Sequence, residues 1–503
     1  MLLALLALPA SAGAQGPIQS SPLHVGADGQ GRVQAGYVGA TTPLFSPPDF
    51  TQQPTGGFHL SEAGVPLNWG PHFGTGFQFI PVTAPKRGGG ADCPAGNPCT
   101  ISSIFRTPTS NLEITEVVSY IKGTEHLRVR YRVRNTSDGP VTFRAWWAAD
   151  IYPGAEEARG IEKPVSGARV FGGINEFTGL AALLMERTSG DWTHFQEGLD
   201  TQVYQRLGSG TPMTNDVDGD LVDAGAGVQF NQHALAEDAL GSLQSTFFEA
   251  SWAFPRFGSV SFGADVPGNV SAPAGTPHTV DDVTAAFGGL PPQHARPFFG
   301  EDPVFRWKRM GVNGEDGDVS LVNDSTGVPE ENIAWTSGAD PGQDLVVGWV
   351  DRDNDGMHDG NEPARARTVR WTKDDATPSR LTFDRSSIAA FRDPDLEHKV
   401  VAQLGPEQGG IEIRYTVTGA NPTDPNEEPP KVNTQTGGAA EIKLKGANAG
   451  HDVLIAWADL PAPFPNGQID PGEPVTALTA TWIEPPVNNG PSPPFPPPPA
   501  PPG

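Results

Sequence analysis

The residues with the clearest chemistry are five carboxylates in one short stretch. Residues 351–362 read DRDNDGMHDGNE. Asp351, Asp353 and Asp355 take positions 1, 3 and 5 of a calcium loop. Gly356 takes position 6, Met357 offers its carbonyl at 7, Asp359 stands at 9 and Glu362 at 12. Ca²⁺ takes six to eight oxygens, and glycine at position 6 permits the sharp turn between them. Carboxylates this dense repel one another unless neutralised. The spacing predicts calcium held by Asp351, Asp353, Asp355, Met357, Asp359 and Glu362, at the weak Kd of extracellular modules, about 10⁻⁴–10⁻³ M. Asp, Asn and Gly also favour turns, so a solvated acidic hairpin is the competing reading. A strand precedes the loop and Pro363 follows Glu362, which points to a connection between two strands and not to a loop that opens a helix.

Other candidates are weaker. Asp216-Val217-Asp218-Gly219-Asp220 with Asp223 is an irregular second acidic stretch. Trp192-Thr193-His194-Phe195-Gln196-Glu197 sets aromatics beside His and Glu, a combination able to line a sugar pocket. A histidine on a β element is more often a satisfied structural residue. Arg128, Arg130, Arg132 and Arg134 alternate with Leu127, Val129, Tyr131 and Val133. That arginine ladder either binds an acidic polymer or forms a solvated face paired with carboxylates. Cys93 and Cys99 are the only cysteines, and in an exported chain they predict a local disulfide. No G-x-S-x-G elbow, H-E-x-x-H or P-loop occurs.

The elements that position these residues read as strands. Gly and Pro together make up about 22% of the 503 residues, which disfavours long helices. After the turn NTSDGP, residues 135–140, Val141, Phe143, Ala145 and Trp147 form the return of an expected hairpin. Further strands are expected at Phe77–Val82, Leu112–Ile121 and Phe247–Phe254. The C-terminal half is duplicated. FRWKRMGVN from Phe305 lies 108 residues before IRYTVTGAN from Ile413, and LVVGWVD from Leu345 lies over VLIAWAD from Val453 at the same offset. Asp359-Gly360-Asn361-Glu362-Pro363 and Trp371 match Asp470-Pro471-Gly472-Glu473-Pro474 and Trp482 at an offset of 111. His278-Thr279-Val280 and His398-Lys399-Val400 open the units. The second copy of the acidic loop, DLPAPFPNGQIDPGE, keeps only Asp459, Asp470 and Glu473, so the turn can exist without metal. Alternating strands in units of about 105–110 residues are the pattern of a β-sandwich, with Trp349 and Trp457 expected in the core.

These blocks resemble bacterial Ig-like domains of the invasin/intimin group. There, a His-Thr-Val strand, a V-x-F-x-V-x-G-x-N strand, a G-x-N-x-G-x-D turn and an A-W-x-D strand ending in D-x-D-G-x-x-D-x-G-E-P follow in that order. The resemblance covers roughly residues 260–484 and implies sandwiches used in surface stalks and adhesins. It departs from that group in having no segment before them that reads as an outer-membrane barrel. The region before it is similar, at the level of fold alone, to the supersandwiches of sugar-binding and mutarotase-like domains.

The expected architecture is all-β: a signal peptide at 1–14, an N-terminal β-sandwich at 22–258, Ig-like domains at 260–373 and 376–484, and a polyproline tail at 485–503. Met1–Leu8 is the apolar core of the signal, and the Ala10-Ser11-Ala12 and Ala12-Gly13-Ala14 sites follow it. No apolar run is long enough for a transmembrane helix. A net charge of −26 argues against nucleic acid and anionic lipid as partners. The leading reading is a secreted or cell-surface, non-enzymatic adhesion or structural protein that meets a cell-surface or matrix ligand, with a glycan among the candidates. The alternative is a carbohydrate-binding or carbohydrate-active N-terminal domain on an Ig-like stalk. A purely structural envelope component is a third reading.

Overall fold

The computed structural model describes residues 17–486 apart from short stretches, the longest being 46–55, 71–77, 237–244, 287–303, 312–318, 322–330 and 373–379. The expected signal peptide and nearly all of the polyproline tail lie outside the described residues. Among the described residues the chain is all-β with one short helix. It divides into two compact units. One comprises the chain up to Asn175 together with Ala181–Pro255, and the other comprises Glu176–Leu180 and Arg256–Pro485.

The first unit is dominated by a 14-stranded sheet. Its order runs from Asn68–Trp69 through Gly57–Glu62, Val141–Asp150, Leu221–Phe230, Glu157–Val165, Ala168–Asn175, Leu180–Met185, Ser245–Ala253, His126–Asn135, Leu112–Ile121 and Pro98–Arg106 to Ile80–Gly88. Strict alternation puts Leu127, Val129, Tyr131 and Val133 on the buried face and the arginines on the other. The expected strands at 127–134 and 141–147 exist, but they do not form a hairpin. His126–Asn135 pairs with Leu112–Ile121 and Ser245–Ala253, whereas Val141–Asp150 pairs with Gly57–Glu62, Leu221–Phe230 and His233–Leu235. The two strands meet across the core instead, where Trp147 Nε1 donates to the Tyr131 hydroxyl at 3.0 Å and Phe58 stacks on Tyr131. Asn135 shapes the connection, its amide donating to the carbonyls of Gly139 and Ala236. Alternation reports which face a residue takes and not which strand lies beside it, so a hairpin and an arch across the core look alike in sequence. The helix Asp200–Ser209 was not expected. It lays Val203, Tyr204 and Leu207 on Trp146, Ala148 and Met213, and Gly210 in the left-handed region ends it.

The second unit contains the two copies, and they are built alike. The first has a sheet of Ser259–Phe262, Pro277–Ala286 and Glu331–Thr336 and another ordered Asn269–Pro273, Ala364–Thr372, Gly342–Asp351, Val304–Gly311, Val319–Leu321. The second repeats this with Arg380–Phe383, Asp393–Gly405 and Ala439–Gly446, and with Ser387–Phe391, Val475–Ile483, Gly450–Asp459, Glu412–Gly419, Lys431–Asn433. In the second copy Leu454, Ala456 and Ala458 face the interior of their own sandwich, with Val400, Ile442 and Trp482. The alternate residues Val453, Ile455 and Trp457 point the other way, where they join Leu345, Val347 and Trp349 of the first copy. Trp349 and Trp457 are buried as expected, but between the copies and not within either sandwich. The copies therefore lie against each other along these strands, where a stalk of linked domains would expose the same faces. Each run, LVVGWVD and VLIAWAD, is apolar up to its closing aspartate because both faces of the strand are covered.

Candidate metal-binding loop

The loop leaves the strand Gly342–Asp351, and its first carboxylate is already buried. Asp351 Oδ1 accepts the N–H of Asp355 at 3.2 Å, and Oδ2 accepts that of Gly356 at 2.9 Å and is bound by the Arg306 guanidinium. Asp355 Oδ1 accepts the N–H of Met357 at 2.7 Å. Gly356 takes φ +84°, a conformation that side chains resist. Asp351, Asp353 and Asp355 each offer an oxygen within 4.8 Å of the others, the one such group of three among the described residues. Glu362 is turned elsewhere. Its Oε1 accepts the N–H of Arg352 and its Oε2 that of Asp359, at 3.0 Å, so it closes the base of the loop. Burial first, then the charges of Asp351 and Asp353, push the Glu362 carboxyl up to about 7. Asp359 is raised by desolvation and by Asp355, Asp353 and Asp351. Met357 is exposed. His358 anchors the far side, held by Thr418 Oγ1 at 3.1 Å and by the Glu362 carbonyl at 3.0 Å.

The second copy separates the loop's two jobs. Asp459 accepts the N–H groups of Asn466 and Gly467 and pairs with Arg414 at 2.7 Å, while Glu473 accepts those of Leu460 and Asp470. Gly467 takes φ +78°. Asp351, Glu362, Arg306 and Gly356 thus have equivalents that perform the same closure. Asp355 is matched by Asn466, which accepts the N–H of Gln468 at 2.8 Å and so keeps the turn without the charge, and Asp353 has no acidic equivalent. The shared residues hold the turn, and what the first copy adds is the charge of Asp353 and Asp355 beside Asp351. Three carboxylates against one guanidinium leave an excess of negative charge for a hard, oxygen-seeking ion.

The remaining candidates lie elsewhere in the fold. Cys93 and Cys99 form a disulfide. His194 and Glu197 lie on opposite faces of the strand Trp192–Leu199, so no His–Glu pair forms there: His194 is in register with Gln229 and Glu197 with Ala226. Glu197 is 2% exposed, accepts the N–H of Asp218 at 3.0 Å, and burial holds its carboxyl well above the usual range. The second acidic stretch clamps this strand through its backbone, Asp216 O accepting from Glu197 N and Asp218 O from Gly160 N. The arginine ladder is engaged by carboxylates, with Arg128 on Glu249 at 3.1 Å and Arg134 on Glu113 at 2.9 Å. A further pair escaped the sequence reading. Trp371 donates to Asp344 at 2.6 Å, and Trp482 donates to Asp452 at 2.6 Å. All four residues fall in the matched blocks, so a buried acid recurring with a tryptophan was the available signal.

Comparison with protein-family models and with curated proteins gives no match. Among solved structures, a bacterial glucoamylase complexed with acarbose is similar over 49% of this chain and 32% of its own, at 12% identity and a TM-score of 0.31. This chain thus spans about a third of that protein's length. The D0-D1 domain of intimin is similar over 44% of this chain and 97% of its own, at 12% identity and a TM-score of 0.20. A putative aldose 1-epimerase from Escherichia coli K12 is similar over 48% and 98%, at 9% identity and a TM-score of 0.25. At these values the likeness is one of fold alone.

Proposed function

We propose that the chain is a secreted or cell-surface, non-enzymatic adhesion or structural protein. Its N-terminal sandwich meets the ligand, and its two Ig-like sandwiches form a fixed support. The observation that carries this reading is the doubly covered strand pair. The residues shared by the two copies close loops, lock tryptophans and join the copies, and all of these uses build a scaffold. The Cys93–Cys99 disulfide supports an oxidising compartment. Among the described residues no helix is long and apolar enough to cross a membrane. A second reading, that the N-terminal unit binds a polysaccharide, is favoured by its arginine-rich face. Presenting the full chain to a glycan array with product detection tests both. Retention without turnover fits a binding role, and released sugar would overturn the non-enzymatic reading.

Calcium belongs to the same proposal. Asp351, Asp353 and Asp355 would hold it, and the ion would neutralise the loop that seats His358 against Thr418. Titrating Ca²⁺ into the full chain should give weak heat, with Kd about 10⁻⁴–10⁻³ M, and a raised Tm. Asp353→Ala with Asp355→Ala should abolish both effects while leaving Arg306–Asp351 in place. A wild-type chain with no heat and no Tm shift would rule the site out.

A further inference from the structure

The outer face of the sheet around His126–Asn135 is out of character with the rest of the molecule. The chain carries 33 basic against 59 acidic residues. On this face the register sets Arg128, Arg130, Arg132 and Arg134 in one row, Glu113 beside Arg134, and Arg106 beyond Glu113. The strand on the other side contributes Glu249, opposite Arg130, and Phe247, opposite Arg132. Arg187 joins from the rim, 3.5 Å from Glu249. Asp191 lies near enough to Glu249 to help raise its carboxyl, after burial. Among the described residues, six arginines thus stand with three carboxylates, reversing the sign of the whole chain; Arg128 is buried against Glu249, Arg130, Arg132 and Arg134 are part-buried, and Arg106 is exposed. The arginines are two residues apart on one strand, so their row is spaced at about 6.7 Å and spans about 20 Å. Phe247 stands among them with 55% of its surface exposed. Like charges are juxtaposed there: burial and the charge of Arg134 hold Arg132 below the usual arginine range.

We propose that this face binds an acidic polysaccharide, a chain of uronate-type sugars laid across Arg106, Arg134 and Arg132 at the open end of the row, with a sugar ring against Phe247. The guanidinium fork matches a carboxylate in two parallel hydrogen bonds, and a row of forks matches carboxylates repeated along a polymer. Phe247 offers an apolar plate to the C–H face of a pyranose. Duplex DNA fits less well, because its higher charge density is repelled by the −26 body outside this one face. The inference rests on the polysaccharide-binding reading of the N-terminal unit and specifies its ligand.

The test uses the full chain and four probes: polygalacturonate, neutral dextran, heparin and a short DNA duplex. Polygalacturonate should bind, dextran should not, and the affinity should fall as salt rises. Arg106→Glu with Arg132→Glu should weaken polygalacturonate binding at least tenfold at unchanged Tm. Should that variant not fold, Arg106→Lys with Arg132→Lys keeps the charge but removes the fork, and should lose several-fold; Phe247→Ala should lose a similar factor. Unchanged binding in these variants, or no binding of polygalacturonate at low salt, overturns the proposal. Tighter binding of heparin or of DNA than of polygalacturonate also overturns the uronate assignment. Retention of dextran alone would overturn the acidic ligand while leaving the polysaccharide-binding reading standing.

Discussion

Glu116 shows how one buried side chain can set the pH response of the first unit. It is 0% exposed, accepts from the Ser103 hydroxyl at 3.1 Å and from Tyr131, and Tyr131 in turn accepts from Trp147. Burial first, then the charge of Asp28, push its carboxyl up to about 8 from an ordinary 4.5. The folded state therefore holds a proton that the unfolded chain releases near pH 4.5. Its stabilising effect is complete below that value and is lost as pH rises toward 8, a difference on the order of 5 kcal/mol at 1.4 kcal/mol per unit. Glu116→Gln keeps an uncharged acceptor in the same place. The variant should gain Tm over wild type at pH 8 and match it at pH 4.5. Equal Tm at both pH values would show that Glu116 is not the titrating group. Alternation in LEITEVVSYI sets Glu116 on the face of Leu112, Ile114, Val118 and Tyr120, but its partners Ser103, Tyr131 and Asp28 come from elsewhere in the chain and were not legible in the sequence.

At the level of elements, legibility followed the kind of signal. The duplication was readable because a constant offset joins separate blocks, and the structure repeats the same eight strands in the same order. Alternation placed the faces of His126–Asn135 correctly but not its neighbours. The continuous run VLIAWAD suits a central strand by its composition; that its second face meets the other copy needed three-dimensional contacts. The helix Asp200–Ser209 has only three buried residues, too few for a visible stripe. In the acidic loop, residue types and spacing were legible, while the closing role of Glu362 was not, because a carboxylate that accepts backbone N–H looks the same in sequence as one that binds a metal. The Asp–Trp locks carry an element-scale prediction. Asp452 accepts from Trp482, from the Asn421 backbone and from the Asn421 amide, fastening Val475–Ile483 and the end of Glu412–Gly419 to the strand Gly450–Asp459. Asp452→Ala leaves the buried indole N–H and the Asn421 backbone N–H without their acceptor, costing about 2–4 kcal/mol. Asp452→Asn keeps an acceptor oxygen and should cost clearly less. Chemical denaturation of both variants checks the order, and equal losses would show that the lock works by packing alone.

At the scale of the molecule, the decisive feature of the second unit is that its copies share a core. Leu345, Val347 and Trp349 meet Val453, Ile455 and Trp457, and Ala364 meets Val475, residues at matching positions of the two copies. Such a surface is self-complementary in the way that isologous dimer interfaces are, here within one chain. Removing one tryptophan from it should cost about 3–5 kcal/mol, and most of that loss falls on the junction. In the native chain the two copies should therefore open as one cooperative unit, with the strands Gly342–Asp351 and Gly450–Asp459 exchanging backbone hydrogens at similar, strongly protected rates. Trp457→Ala should uncouple them, so that one of these strands exchanges ahead of the other. Trp482→Phe, which loosens the second sandwich from within, should instead lower protection in both copies together as long as the junction holds. Separate exchange of the two strands in the wild-type chain would contradict the shared core and restore the picture of two independent domains on a line.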